Sequence, residues 1–321
     1  MRRSALVFGF RIAAVWVVCA LTASGVAAQA GAGADQQWQV PRTGWGAPDL
    51  QGVWDYRTMT PLQRPREFAG KAVMSEEEAA AFTARTLEEQ ADYDRAPSVH
   101  AKWWLDYGKE LTEDLRTSLV VDPPDGRIPA LTDEARRRNA ERSARRRAHP
   151  ADGAGYRGNT ERCLSFGTPR LPGAYNNNYQ ILQTPDHVVI VSEMIHDSRI
   201  VPLDGRPYAG LPQWHGEARG RWEGDTLVVE STHYRDGAGF RGSTGAVRVT
   251  ERFTRVGPDT VRYEITADDP STWVAPWTVM FPLKKTDQAM YEYACHEGNY
   301  GLANILRNAR LEEASARAAT Q

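Results

Sequence analysis

The sequence predicts a mainly β protein, an antiparallel barrel or sandwich, with a polar helical insertion and a short C-terminal helix. Three observations predict it. Eight short runs between Asn159 and Ala303 are β-branched, aromatic or alternating in polarity, as half-buried strands require. Turn signals separate several of them: Asp204-Gly205, Glu223-Gly224-Asp225, Gly257-Pro258-Asp259 and Thr286-Asp287. These connections are too short for the crossover helices of a parallel sheet.

In order, the runs are His187–Glu193, Arg199–Leu203, Arg219–Trp222, Thr226–Thr232, Val247–Arg255, Thr260–Ala267, Trp277–Lys284 and Met290–Cys295. This body is assigned to 159–321, closing with a helix over Leu302–Ala318. Ahead of it, residues 73–158 read as a polar helical region. Ser75 and Glu78 have the spacing of a capping box, and Thr132 stands at the cap of an Arg-rich helix. That second helix carries seven Arg up to Arg147 and reads as a solvated face paired to nearby acids. Residues 31–72 are rich in Pro, Gly and Trp, which excludes a long helix and predicts an extended arm lying across the body.

Met1–Ala30 has the three parts of a secretory signal. Arg2, Arg3 and Arg11 supply charge, Ile12–Leu21 is apolar, and small residues end the segment. Removing it takes away Cys19 and three of the 39 basic residues, leaving 36 against 41 acidic ones. That balance argues against a nucleic-acid partner. No later apolar run has the length of a membrane span. The expected location is periplasmic or secreted, and there the two remaining cysteines, Cys163 and Cys295, are expected to pair.

Gly52-Val53-Trp54 resembles the opening-strand signature of lipocalin-like (calycin) barrels, in which a Trp plugs one end. Longer stretches, Tyr175–Tyr179, Glu193–Arg199, Gly220–Thr226 and Tyr293–Tyr300, resemble a broad group of exported, uncharacterised bacterial proteins. That resemblance runs from about Pro48 to Leu311. It implies an envelope protein with a β-rich body and assigns no residue a role.

Chemistry is sought by face. Alternation sets Glu251 among Val247, Val249 and Phe253, on the inward face, where a carboxylate either titrates at a raised pKa or pairs with a cation. Four His fall at turns or strand ends, namely His196, His215, His233 and His296. Glu251, His196 and His296 are the catalytic candidates for proton transfer. Arg199, Trp214, His215, Arg219, His233, Trp273 and Tyr293 are the candidates for binding a small cyclic or aromatic molecule. Asn176, Asn177 and Asn178 form a polar loop fit either to orient a ligand or to start a strand.

Neither a metal nor a cofactor is expected. No H-E-x-x-H, G-x-S-x-G or Gly-rich phosphate loop occurs. The expected function is an exported small-molecule enzyme working by acid–base chemistry, a lyase, isomerase or hydrolase. The alternatives are a non-catalytic periplasmic ligand-binding protein and a structural envelope protein.

Overall fold

The computed structural model describes residues 38–95 and 105–319; the signal-like segment falls outside them. Ten strands form one antiparallel sheet: β1 (Gly52–Asp55), β2 (Val120–Asp122), β3 (Asn178–Gln183), β4 (His187–Ser192), β5 (Ser198–Pro202), β6 (Glu217–Glu223), β7 (Thr226–Thr232), β8 (Arg248–Gly257), β9 (Thr260–Asp268) and β10 (Trp277–Thr286). The strand order is β5-β4-β3-β1-β10-β9-β8-β7-β6, with β2 also on β10. Two meanders therefore meet at β1. Its register pairs Trp54 with Tyr179 on one side and with Lys285 on the other.

The sheet curls into a nearly closed barrel whose two edge strands, β5 and β6, face each other. Gly220 permits this approach. A Cβ there would fall 2.7 Å from Val201 Cγ1 and 2.8 Å from Leu203 Cδ2.

Alternation carries the core. Val249, Glu251 and Phe253 in β8, and Val261, Tyr263 and Ile265 in β9, are all buried, with Trp277, Val279, Phe281 and Leu283 beside them on β10. The barrel is filled by its own aromatic side chains. Phe253 stacks on Tyr263 at 4.4 Å, and Tyr263 meets Phe281 edge-on at 5.2 Å. Tyr56 lies 4.8 Å from Tyr179. Small barrels are commonly filled in this way, which places any sizeable ligand elsewhere.

Among the described residues three helices accompany the barrel: α1 (Glu76–Arg95), α2 (Asp133–Ala148) and α3 (Tyr300–Ala319). Both expected caps form. Ser75 N donates to Glu78 Oε2 at 2.7 Å while Glu78 N donates to Ser75 Oγ at 3.2 Å. Thr132 Oγ1 accepts from Ala135 N at 3.1 Å. No helix among the described residues is long and apolar enough to cross a membrane.

The structure corrects three expectations. The extended arm does more than lie across the body, because its Gly52–Asp55 is a central strand of the sheet. Asn178–Gln183, absent from the expected runs, is the strand beside it. Met290–Cys295, expected as the last strand, is irregular. Strand-forming side chains need a free edge, and both edges of β10 are taken, one by β9 and the other by β1 and β2.

Candidate functional site

The described candidates do not gather in one place. Glu251 and Arg199 meet inside the barrel. Arg199 Nη2 donates to Glu251 Oε1 at 2.8 Å, Arg199 Nη1 pairs with Oε2, and the Tyr263 hydroxyl also donates to Oε1. The side chains are 3% and 0% exposed, so neither reaches solvent. Arg199 is held well above its ordinary pKa: burial opposes the charge, and the Glu251 carboxylate outweighs burial. Burial and the same carboxylate push the Tyr263 hydroxyl up. This is the internal ion pair that an inward Glu next to many Arg allowed.

A second pair sits just beyond β4. Asp197 is buried; its Oδ2 accepts from Ser165 Oγ at 2.9 Å, and its Oδ1 lies 3.5 Å from His215 Nε2. Burial raises the Asp197 pKa and lowers that of His215.

A third cluster pins the loop before β6. Buried Glu217 accepts from Ala209 N at 2.6 Å and Gly210 N at 2.9 Å, and pairs with Arg219 at 2.5 Å. His233 Nδ1 lies 3.6 Å from the same carboxylate. Arg219 also lies over the Tyr208 ring at 5.0 Å, and Arg235 lies over Trp214 at 5.0 Å. Trp273 is not a cleft residue: it is 4% exposed and packs edge-on against Trp277. His296 is exposed at the turn before α3.

The open space lies at the end of the barrel where β3 begins and β4 ends. A cleft of about 820 Å³ is bounded there by Tyr175, Asn176, Asn178 and Glu193, by the irregular segment from Gln288 to Cys295, and by Leu105 and Asp106. Cys163 and Cys295 both line it and are disulfide-bonded, with Cα atoms 5.7 Å apart. The bond joins two irregular segments, which have no ladder of their own to hold them.

The three Asn divide the work. Asn177 is a staple. Its Oδ1 accepts from Gly173 N at 2.8 Å, and its Nδ2 donates to Gly173 O at 3.0 Å. This frees its neighbours to face the cleft. Asn176 sits there at φ 52°, in the left-handed region that Asn tolerates better than most residues. Asn178 is the cross-strand neighbour of Glu193. Glu193 N donates to Asn178 O at 3.0 Å, and Asn178 Nδ2 donates to Glu193 Oε2 at 2.8 Å.

Glu193 is the residue that sequence reasoning missed. It is 6% exposed, lines the cleft, and takes part in no ion pair among the described residues. Alternation placed it opposite the buried Val188, Ile190 and Ser192, on the half-buried outward face. What buries it is the sharp turn that follows, where Ile195 and His196 adopt φ of 55° and 46°. The available signal was the turn itself, packed with ionisable residues at the end of a strand.

Two predicted residues bear on this cleft. Tyr293 lines it; burial, with the neighbouring Tyr175 hydroxyl, pushes its pKa up. His196 holds the wall from outside, its Nδ1 3.2 Å from the Tyr293 carbonyl oxygen. Among the described residues, no three His, Cys, Asp or Glu side chains gather as a metal site would need.

No protein-family profile and no curated protein matches the chain. Among solved structures, the chain is similar in part to a mutant of the fluorescent protein UnaG. That similarity has 11% identity and a TM-score of 0.23, and covers 35% of this chain and 72% of that one. So slight a likeness adds nothing to the barrel that the strand order already establishes.

Proposed function

We propose that the chain is a small-molecule enzyme of the acid–base type, with its active site in the cleft at the end of the barrel and Glu193 as the proton-transfer group. One observation carries the reading: a carboxylate 6% exposed lines a cleft of about 820 Å³ and is paired with no cation among the described residues. A carboxylate at the wall of a cleft can reach a ligand's proton, whereas Glu251, enclosed by Arg199 and Tyr263 inside the filled barrel, cannot. Asn178 would fix its orientation, and the Tyr175–Tyr293 hydroxyl pair would supply a second group able to donate a hydrogen bond. Lyase, isomerase and hydrolase chemistry all fit such a set. The charged, apolar and small-residue order of Met1–Ala30, together with the disulfide, supports a periplasmic or secreted site of action.

A non-catalytic ligand-binding protein is the second reading. It is favoured by the surroundings of Glu193, whose one side-chain hydrogen bond among the described residues comes from an amide and not from a second acid or base. Screening small cyclic molecules for both turnover and thermal shift separates the two. Turnover that Glu193→Gln abolishes supports the enzyme. Stabilisation without turnover supports the binding protein.

A further inference from the structure

We infer that the cleft takes an organic cation, a protonated amine carried on an apolar or aromatic frame. This deepens the reading of the cleft as a small-molecule site and rests on it.

The charge of the walls is the first argument. Four carboxylates line the cleft, Asp106, Glu161, Glu193 and Glu292, and no Lys, Arg or His does so among the described residues. Asp106 and Glu161 are neutralised from behind by Arg57 and Arg157. Glu193 and Glu292 have no such partner among the described residues. Among the described residues an anionic ligand would meet the uncompensated carboxylates of Glu193 and Glu292 and be repelled by them.

The hydrogen-bonding sense of the deepest groups is the second and independent argument. Asn178 is 7% exposed, and its Oδ1 is a buried acceptor with no partner among the described residues. The amide cannot turn over to remedy this. Its Nδ2 is committed to Glu193 Oε2 at 2.8 Å, and a flip would set two acceptors against each other. Beneath the cleft an amide oxygen without a donor thus lies beside a carboxylate whose one side-chain donor among the described residues is the Asn178 amide. A neutral ether or ketone would leave them unmet, whereas an ammonium group brings two or three N–H donors and the compensating charge.

The third argument is the rings. Tyr175, Tyr291 and Tyr293 bound the same space. Aromatic faces attract cations and at the same time cover an apolar frame. A carboxylate, an acceptor oxygen and Tyr rings about one cavity form a receptor for a cation.

Three probes of one shape test this: 2-phenylethylamine, 2-phenylethanol and phenylacetate, titrated into the full chain and read by calorimetry and thermal shift. The amine should bind at least tenfold more tightly than the alcohol, and phenylacetate should not bind. Glu193→Gln should weaken the amine at least tenfold and the alcohol far less, because the alcohol loses a hydrogen bond and not a counter-charge. Glu292→Gln, at an exposed position, should weaken the amine several-fold, and serves if the buried variant fails to fold. Alcohol or phenylacetate binding as tightly as the amine, with competition between them, overturns the cation while leaving a small-molecule cleft intact. If no probe binds, the cation falls; the wider library screen then decides whether the cleft binds small molecules at all.

Discussion

Glu251 and Glu193 are both buried carboxylates, 0% and 6% exposed, at different points of one barrel, and they differ in everything that bears on chemistry. Glu251 lies within a strand, held by Arg199 and Tyr263 in a space filled by aromatic rings. Its charge is compensated and no ligand can approach it. Glu193 lies at a strand end, held by one amide, beside a cleft of about 820 Å³. Strand interiors give alternation a fixed meaning, so Glu251 became a structural ion pair. Strand ends are released from alternation, and there the chain can bury an acid without providing a cation. Burial alone therefore does not mark a site; an uncompensated charge beside open space does.

The largest expected effect concerns what holds the two regions. The barrel interior is held by packing, whereas the cleft walls at Cys163 and Cys295 are held by a bond closing a separation of 132 residues. The chain-entropy view assigns such a bond roughly 4–5 kcal/mol. Replacing both cysteines with Ser should lower the urea midpoint accordingly, and amide exchange should rise first over residues 288–299. An unchanged midpoint would mean the cleft walls hold themselves.

Next in size is the interior pair. Glu251→Gln leaves the Arg199 charge buried without compensation and should cost about 3–5 kcal/mol in urea unfolding. Replacing both partners with apolar residues, Glu251→Leu with Arg199→Met, should recover most of that loss. A Glu251→Gln protein as stable as wild type that had lost ligand binding or turnover would move the site into the barrel and reverse the comparison.

A third buried acid calibrates the other two. Asp269 accepts from Thr244 N at 2.8 Å, Thr272 Oγ1 at 2.6 Å and Ser271 Oγ at 2.7 Å. Burial works to raise its pKa, but these hydrogen bonds prevail and hold it at about 2, below the ordinary 3.8. Its stabilisation, about 2 kcal/mol, is therefore complete above the unfolded value and is lost as pH falls through about 2. Unfolding followed from pH 5 to pH 2 should show this loss, and Asp269→Asn should flatten it. A variant with the same acid slope as wild type would mean that other carboxylates govern the acid limb.

The sequence made the interior legible and the cleft only partly so. Val249, Glu251 and Phe253 were readable because period two is imposed by the pleat, whatever the neighbouring strands are. The caps at Ser75 and Thr132 were readable because their partners lie three residues away. The cysteine pair followed from arithmetic. The site of β1 was not readable, because pairing Trp54 with Tyr179 joins residues far apart in sequence, and no local pattern encodes register across that distance. Met290–Cys295 misled for the opposite reason. Its composition suits a strand, but β10, the strand before it, already has both edges paired. Glu193 was hidden because a two-residue excursion to positive φ, at Ile195 and His196, overrides the face its parity assigns.

The smallest expected change in stability is also the sharpest test of the comparison. Glu193→Gln keeps the size of the side chain, and its amide oxygen can still accept from Asn178 Nδ2, so the cross-strand contact survives. Removing a charge that no cation compensates among the described residues should cost little: a midpoint change worth less than about 1 kcal/mol, against several for Glu251→Gln. Removing the same charge should nevertheless abolish turnover of any substrate the cleft accepts, because Gln neither takes up nor releases a proton. The two carboxylates would then dissociate cleanly, one carrying stability without function and the other function without stability. Unfolding curves and turnover on the two variants suffice to check this. A Glu193→Gln protein destabilised as severely as Glu251→Gln, or one with turnover intact, would show that the uncompensated acid at the strand end is a structural acid after all.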